Sequence, residues 1–208
     1  MTDLDSAYGL ETADDNLRLY REWANSYDRD FAQEMDYVLP LRVAEAFQAN
    51  GGRGPVLDLG AGTGLCGVAL HALGMAEIDA CDLSQDMLEV ATGKNVYRRL
   101  FTGNMQERLP VEDASYGGVV SSGTFTHGHV GPEALGEVLR VVVPGGVVAL
   151  SINAEHWRAQ DYDGAFKALG ARIEDLTVRD LRIYGDKAQG PHAGDMSRVT
   201  TFRKKGGV

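Results

Sequence analysis

Pro55-Val56-Leu57-Asp58-Leu59-Gly60-Ala61-Gly62-Thr63-Gly64 is the stretch on which the reading of the whole chain turns. A short apolar run carries one acidic residue. Three alternating glycines follow, and a new apolar segment opens at Leu65. Such a run, bounded by glycine, fits a buried parallel strand. The glycines permit positive φ and let a ligand lie directly against bare backbone. Free N–H groups at the start of the next helix favour a ligand carboxylate. Two familiar phosphate loops do not fit. The dinucleotide loop, Gly-x-Gly-x-x-Gly, needs its third glycine one residue later, and the triphosphate loop needs Gly-Lys-Ser/Thr.

Outward from this loop, strands and helices alternate. Leu65 to Leu73 reads as a helix closed by Gly74, and Ala76 to Cys81 as a second strand. Ser84 is placed to cap a helix carrying Met87, Leu88 and Ala91. Tyr97 to Phe101 is a weak third strand and Tyr116 to Ser121 a fourth. Pro132 to Val141 is a helix, and Gly145-Gly146 turns it into a fifth strand, Val147 to Ile152. This alternation means a parallel sheet with helices on both faces and right-handed crossovers. Arg172 to Tyr184 and Ser197 to Lys204 alternate instead like antiparallel strands, separated by the polar, glycine-rich Gly185 to Gly194. They predict a terminal hairpin at the sheet edge. Upstream of the loop the chain reads as helical. Asp14 or Asp15 caps a helix bearing Leu17, Leu19, Tyr20 and Trp23, and Pro40 opens another that ends at Gly51-Gly52.

A second signal supports a ligand at the glycine loop. Asp82 closes the second strand, where an acidic residue can accept hydrogen bonds from both ribose hydroxyls. Both features fall at the carboxyl ends of adjacent strands, the place where open α/β sheets bind ligands.

The 208 residues, 44% hydrophobic, suit one domain. A net charge of −10 repels phosphate backbones and argues against nucleic acid as a partner. Arg203-Lys204-Lys205 is the one tight basic cluster, read as a solvated chain end. No apolar stretch of about 18 residues is present to span a membrane. The acidic start, Met1 to Asp5, lacks the pattern of a signal peptide, so a cytoplasmic location is expected. Cys66 and Cys81 stand alone in apolar segments and read as buried thiols.

On these residues the chain resembles a class I S-adenosylmethionine-dependent methyltransferase. The resemblance covers roughly Tyr20 to Ile152. It rests on the glycine stretch, on Asp82-Leu83-Ser84-Gln85-Asp86-Met87-Leu88, on Leu109-Pro110 and on Pro144-Gly145-Gly146. It is closer to the methyltransferase-like proteins of the Williams–Beuren region type, through Trp23-Ala24-Asn25-Ser26-Tyr27-Asp28, Tyr97-Arg98-Arg99-Leu100 and Gly123-Thr124-Phe125-Thr126-His127-Gly128-His129-Val130. Quinone-biosynthesis methyltransferases are wider relatives.

The resemblance implies an α/β Rossmann-like three-layer sandwich. Its sheet has seven mostly parallel strands, an antiparallel C-terminal hairpin and an N-terminal helical lid. The implied organisation is one domain: a lid over 1–50, a cofactor-binding core over 54–153, and a C-terminal helix and hairpin over 154–208. S-adenosylmethionine is the implied cofactor. Asp58, Gly60, Ala61, Gly62 and Gly64 match the loop at its methionine end, and Asp82 the ribose carboxylate. Leu83 and Met87 match the contacts that sandwich adenine. Asn104 stands where relatives often carry an Asp accepting from the adenine amino group, and its amide carbonyl can still accept. Met105 offers its backbone N–H to the adenine ring. Ser121, ending the fourth strand, is placed near the cofactor amino group; Tyr27, in the segment folding over the pocket, is implied to contact the cofactor, and Tyr20, with Trp23, to help form the lid and bind there.

The chemistry implied is in-line methyl transfer, in which the protein aligns two reactants and excludes water. A base is needed only for an acceptor that still carries its proton. His127 is the candidate, with His129 and His156 behind it; a histidine titrates in the useful range. No third ligand accompanies His127 and His129, so no metal is expected. The Asn-Pro-Pro-Tyr motif of adenine and glutamine N-methylation is absent, which points to a small-molecule acceptor. The alternative is a non-catalytic protein that binds S-adenosylmethionine or S-adenosylhomocysteine as a sensor or partner subunit.

Overall fold

The structure is a computed structural model that describes residues 36–206. The expected lid helix and Tyr20, Trp23 and Tyr27 lie outside these residues.

Seven strands form one sheet in the order β3-β2-β1-β4-β5-β7-β6. They are β1 (Val56–Leu59), β2 (Ile78–Asp82), β3 (Arg99–Thr102), β4 (Tyr116–Phe125), β5 (Val142–Asn153), β6 (Ile173–Arg182) and β7 (Met196–Lys204). The first five are parallel, whereas β7 runs antiparallel to both β5 and β6. The terminal hairpin is present, with the last strand inserted between β5 and β6. β6, at the outer edge, carries a bulge and charged side chains, features that blunt an edge against further pairing.

The helices lie on both faces. On one face α1 (Leu39–Ala49) buries Leu39, Val43, Ala44 and Phe47 at helical spacing, with Pro40 in its first turn. Beside it lies α2 (Leu65–Ala72), whose Cys66 and Leu70 join the same cluster over Val56, Ile78, Val120 and Val147. The third helix, α3 (Gln85–Thr92), packs Leu88 on Ala80 and Ala61. Its start is capped as expected: Ser84 Oγ accepts the Met87 amide at 3.3 Å. On the other face α4 (Leu135–Val141), α5 (Ala154–Ala159) and α6 (Tyr162–Leu169) cover Leu57, Leu59, Val119, Val148 and Phe202. The rings of Trp157, Tyr162 and Phe166 stack at the centre of that cluster.

Two strand boundaries differ from expectation in ways that matter for the site. β4 does not end at Ser121 but continues to Phe125, with a register shift between them. The Gly123 amide, at φ +78°, donates to Ser151 Oγ at 2.8 Å, so the bulged stretch keeps a partner on β5. β5 starts at Val142, directly after α4, before the Gly145 turn rather than after it. At the chain's described start, Asp36 receives the amides of Gly185 (2.8 Å) and Lys187 (3.2 Å), which ties the β6–β7 loop to the entry of α1.

Candidate functional site

The sheet's order reverses between β1 and β4, and the crevice beyond their carboxyl ends is the natural ligand site of such a fold. An open cleft lies there, walled by the glycine loop, the end of β2 and the end of β4.

The glycine loop forms its floor. The amides of Gly60 (2.8 Å) and Ala61 (3.1 Å) both donate to the Cys81 carbonyl, which ties the loop to β2. Gly60, Gly62 and Gly64 all have positive φ. A Cβ on Gly60 would fall 2.1 Å from Thr124 Oγ1, so β4 approaches the loop as closely as glycine permits. A Cβ on Gly62 would meet nothing within 4 Å, because this residue faces the open cleft. The loop backbone is thus left bare toward the cleft at this position.

Asp82 stands beside it in the wall. Its Oδ2 accepts the Gly62 amide and its Oδ1 the Ser84 amide, each at 2.8 Å. Burial raises its pKa, and these amides oppose the rise. Leu83 and Met87 line the cleft on the same side. Asn104 lines it from beyond β3; its Oδ1 accepts the Gln106 amide (3.0 Å) and its Nδ2 donates to Glu107 (3.3 Å).

Of the residues singled out in the sequence, Gly60, Ala61, Gly62, Asp82, Leu83, Met87 and Asn104 therefore converge on one cleft. Four others stand just behind its wall. Asp58 is fully buried beneath the loop, Gly64 begins α2, Met105 packs into the core with Leu109, and Ser121 pairs with Leu150 inside the sheet.

The histidines divide. His129 lines the cleft with Val130, and burial pushes its pKa down to about 4. His127 is exposed, and its ring packs edge-on against His156 with centroids 6.5 Å apart. His156 Nε2 lies 2.9 Å from the Val130 carbonyl. It is the donor there, since a carbonyl only accepts. Among the described residues no cluster of His, Cys, Asp and Glu is arranged to hold a metal ion, and no helix is long and apolar enough to cross a membrane.

Some wall residues were not among the expected site residues. Ser122, Gly123 and Thr124 enter through the β4 bulge, and Tyr37 reaches the cleft from ahead of α1. A Cβ on Gly123 would stand 2.6 Å from Tyr37 Oη, so that glycine makes room for the tyrosine. The available signal was Gly123-Thr124, just past Ser121, where the sequence bounds the fourth strand.

Comparison with known proteins agrees with this geometry. Residues 56–146 match the family described as methyltransferase domain. Human methyltransferase-like protein 27 is 32% identical over 81% of this chain and 70% of its own length. The malonyl-[acyl-carrier protein] O-methyltransferase of Pectobacterium atrosepticum is 33% identical over 64% of this chain and half of its own. The solved complex of DhpI with S-adenosylhomocysteine superposes with a TM-score of 0.63 at 22% identity, covering 91% of this chain and 95% of that one. The fold, the matched segment and the 32% identity agree: this chain is an S-adenosylmethionine-dependent methyltransferase and belongs to the family of methyltransferase-like protein 27.

Proposed function

We propose that this chain transfers a methyl group from S-adenosylmethionine, in line, to a small-molecule acceptor bound in the cleft between the glycine loop and the β4 bulge. The observation that carries this reading is the single cleft shared by Gly60–Gly62, Asp82, Asn104 and the Ser122–Val130 side. In this reading the loop holds the methionine end, Asp82 the ribose, Leu83 and Met87 the adenine faces, and Asn104 and the Met105 backbone the adenine edge. The bound sulfonium supplies an activated methyl group.

The chain's own work is alignment. Thr124 and Gly60 bring β4 against the loop, and the Thr124 hydroxyl donates to the Gly60 carbonyl at 3.3 Å. The acceptor then lies on the side of Ser122, Thr124 and His129. His129, held neutral, receives a hydrogen bond from an acceptor O–H or N–H and orients its lone pair. A conjugate acid near 4 makes it a poor base for a phenol near ~10, so this site suits acceptors that need little deprotonation. His127, the base expected from the sequence, packs on His156 and is not part of the cleft lining. In this reading the lid role falls to the segment ahead of α1, with Tyr20 and Tyr27, because α1 itself covers the sheet. The acidic balance fits an acceptor that is not a nucleic acid.

The test is titration calorimetry with S-adenosylmethionine, S-adenosylhomocysteine and NAD, followed by a labelled-methyl screen of amines, phenols, quinols and small acids. Micromolar binding of the first two and transfer to a small acceptor support the reading. Binding of NAD alone, or transfer only to a protein or nucleic acid, overturns it.

A further inference from the structure

Beneath the glycine loop, outside the cleft wall, the buried Asp58 meets the half-buried Tyr97. Asp58 is wholly buried at 0% exposure, two residues ahead of the loop. Tyr97 Oη donates to its Oδ2 at 2.7 Å, while Oδ1 has no hydrogen-bond partner among the described residues. The chain is shaped around this contact. A Cβ on Gly67 would fall 2.2 Å from Tyr97 Oη, and one on Gly64 would fall 2.9 Å from Tyr97 Cε2. Gly67 sits inside α2, where glycine weakens a helix. Here it makes room for the phenol to reach the carboxyl. The same ring packs on the cluster of Ala61, Ala80 and Leu88, and Ala61 is itself a cleft residue. Tyr97 thus touches the loop from behind and Asp58 from the side.

We propose that Tyr97 is a positioning residue that holds Asp58 as a proton-exchanging carboxyl beneath the cofactor loop, and that binding of S-adenosylmethionine drives this proton into solvent. The proposal rests on the reading of the cleft as the cofactor site. Its balance is one bond: the Asp58 O–H breaks, the electron pair stays on the carboxylate, and the proton passes to a buffer base. In the protonated form the proton rests on Oδ1, since Oδ2 already accepts from Tyr97.

Burial pushes Asp58 up to about 7, so both forms are populated near neutral pH. Tyr97 and the Gly67 amide favour the charged form, and the Asp82 carboxylate opposes it. The Cys66 thiol, which faces it from α2, is held neutral by burial. A cation arriving on the other side of the loop tips this balance toward the carboxylate. S-adenosylhomocysteine, without the sulfonium charge, tips it less.

The experiment is calorimetry with S-adenosylmethionine from pH 6 to pH 8, in buffers of different ionisation enthalpy. The wild-type Kd should fall about fivefold to tenfold across this range, with proton release at the acid end. The change for S-adenosylhomocysteine should be smaller. Tyr97→Phe keeps the packing but removes the donor, so the midpoint of the Kd–pH curve should move up. Asp58→Asn should flatten the curve, and if that variant does not fold, Tyr97→Phe carries the test. A packing role alone would leave the midpoint in place. A pH-independent Kd without proton release, or linkage that survives Asp58→Asn, overturns the proposal while leaving the cofactor assignment intact. Absence of S-adenosylmethionine binding at any pH overturns both.

Discussion

The Asp82 carboxylate joins two elements: Oδ2 accepts the Gly62 amide and Oδ1 the Ser84 amide, each at 2.8 Å. One side chain thereby braces the glycine loop and the turn into α3. A carboxylate offers about four acceptor positions, so each oxygen keeps room for a ribose hydroxyl. Asp82→Ala should weaken S-adenosylmethionine binding by about 1–3 kcal/mol, since the hydroxyls lose their partner and the loop its brace. Calorimetry on the folded variant reads this directly. An unchanged Kd would remove Asp82 from the ribose role.

Gly60 and Gly62 should respond oppositely to alanine. A Cβ at Gly60 meets Thr124 at 2.1 Å, while one at Gly62 projects into open cleft. Gly60→Ala should therefore lower stability by about 1–3 kcal/mol through overpacking and strain at positive φ. Gly62→Ala should cost only about 1 kcal/mol of stability, from φ alone, yet lose most cofactor affinity. Thermal melts with and without S-adenosylhomocysteine separate the two. A Gly62→Ala protein that the ligand stabilises as it does wild type would show that the loop is not the contact surface.

The legible parts of this molecule are those governed by local rules. The run at Val56–Leu59, the positive-φ glycines and the Ser84 cap each state their conformation within a few residues, and the structure follows them. The terminal hairpin was legible too, although burial does not alternate along it: β6 is exposed over most of its length and β7 is buried from Val199 to Phe202. The β4 bulge was not. Its extension past Ser121 depends on Ser151, a residue of the next strand whose hydroxyl receives the Gly123 amide. Which of His127 and His129 faces the cleft was likewise hidden: two residues apart in one loop, His129 lines it while His127 is exposed and packs its ring on His156. Tyr37 reached the cleft through Asp36 and Tyr184, contacts formed with the far end of the chain. Such long-range pairings leave no local trace.

Asn104 carries a prediction about the adenine edge. Its Oδ1 spends one acceptor position on the Gln106 amide and keeps another for an adenine amino group. Asn104→Ala removes both and should weaken S-adenosylmethionine binding about threefold to tenfold, near 1 kcal/mol. Asn104→Asp keeps the acceptor but stands beside Glu107, which now accepts from the amide nitrogen. It should bind within about threefold of wild type. Equal affinity of the alanine variant would place adenine elsewhere.

His129 links the cleft to acid stability. Its pKa is about 4 in the folded protein, against 6.5 for the free side chain, because burial and His156 disfavour the charged form. Between those values the unfolded chain takes up a proton that the folded chain refuses. The stability His129 permits is therefore full above about pH 6.5 and drains away as pH falls toward 4. A shift of this size corresponds to at most about 3 kcal/mol. His129→Gln, which cannot titrate, should lose correspondingly less stability than wild type when urea unfolding is compared at pH 7 and pH 4.5. An equal loss in both proteins would mean that His129 titrates near its ordinary value, and that water reaches the wall where the acceptor should sit dry.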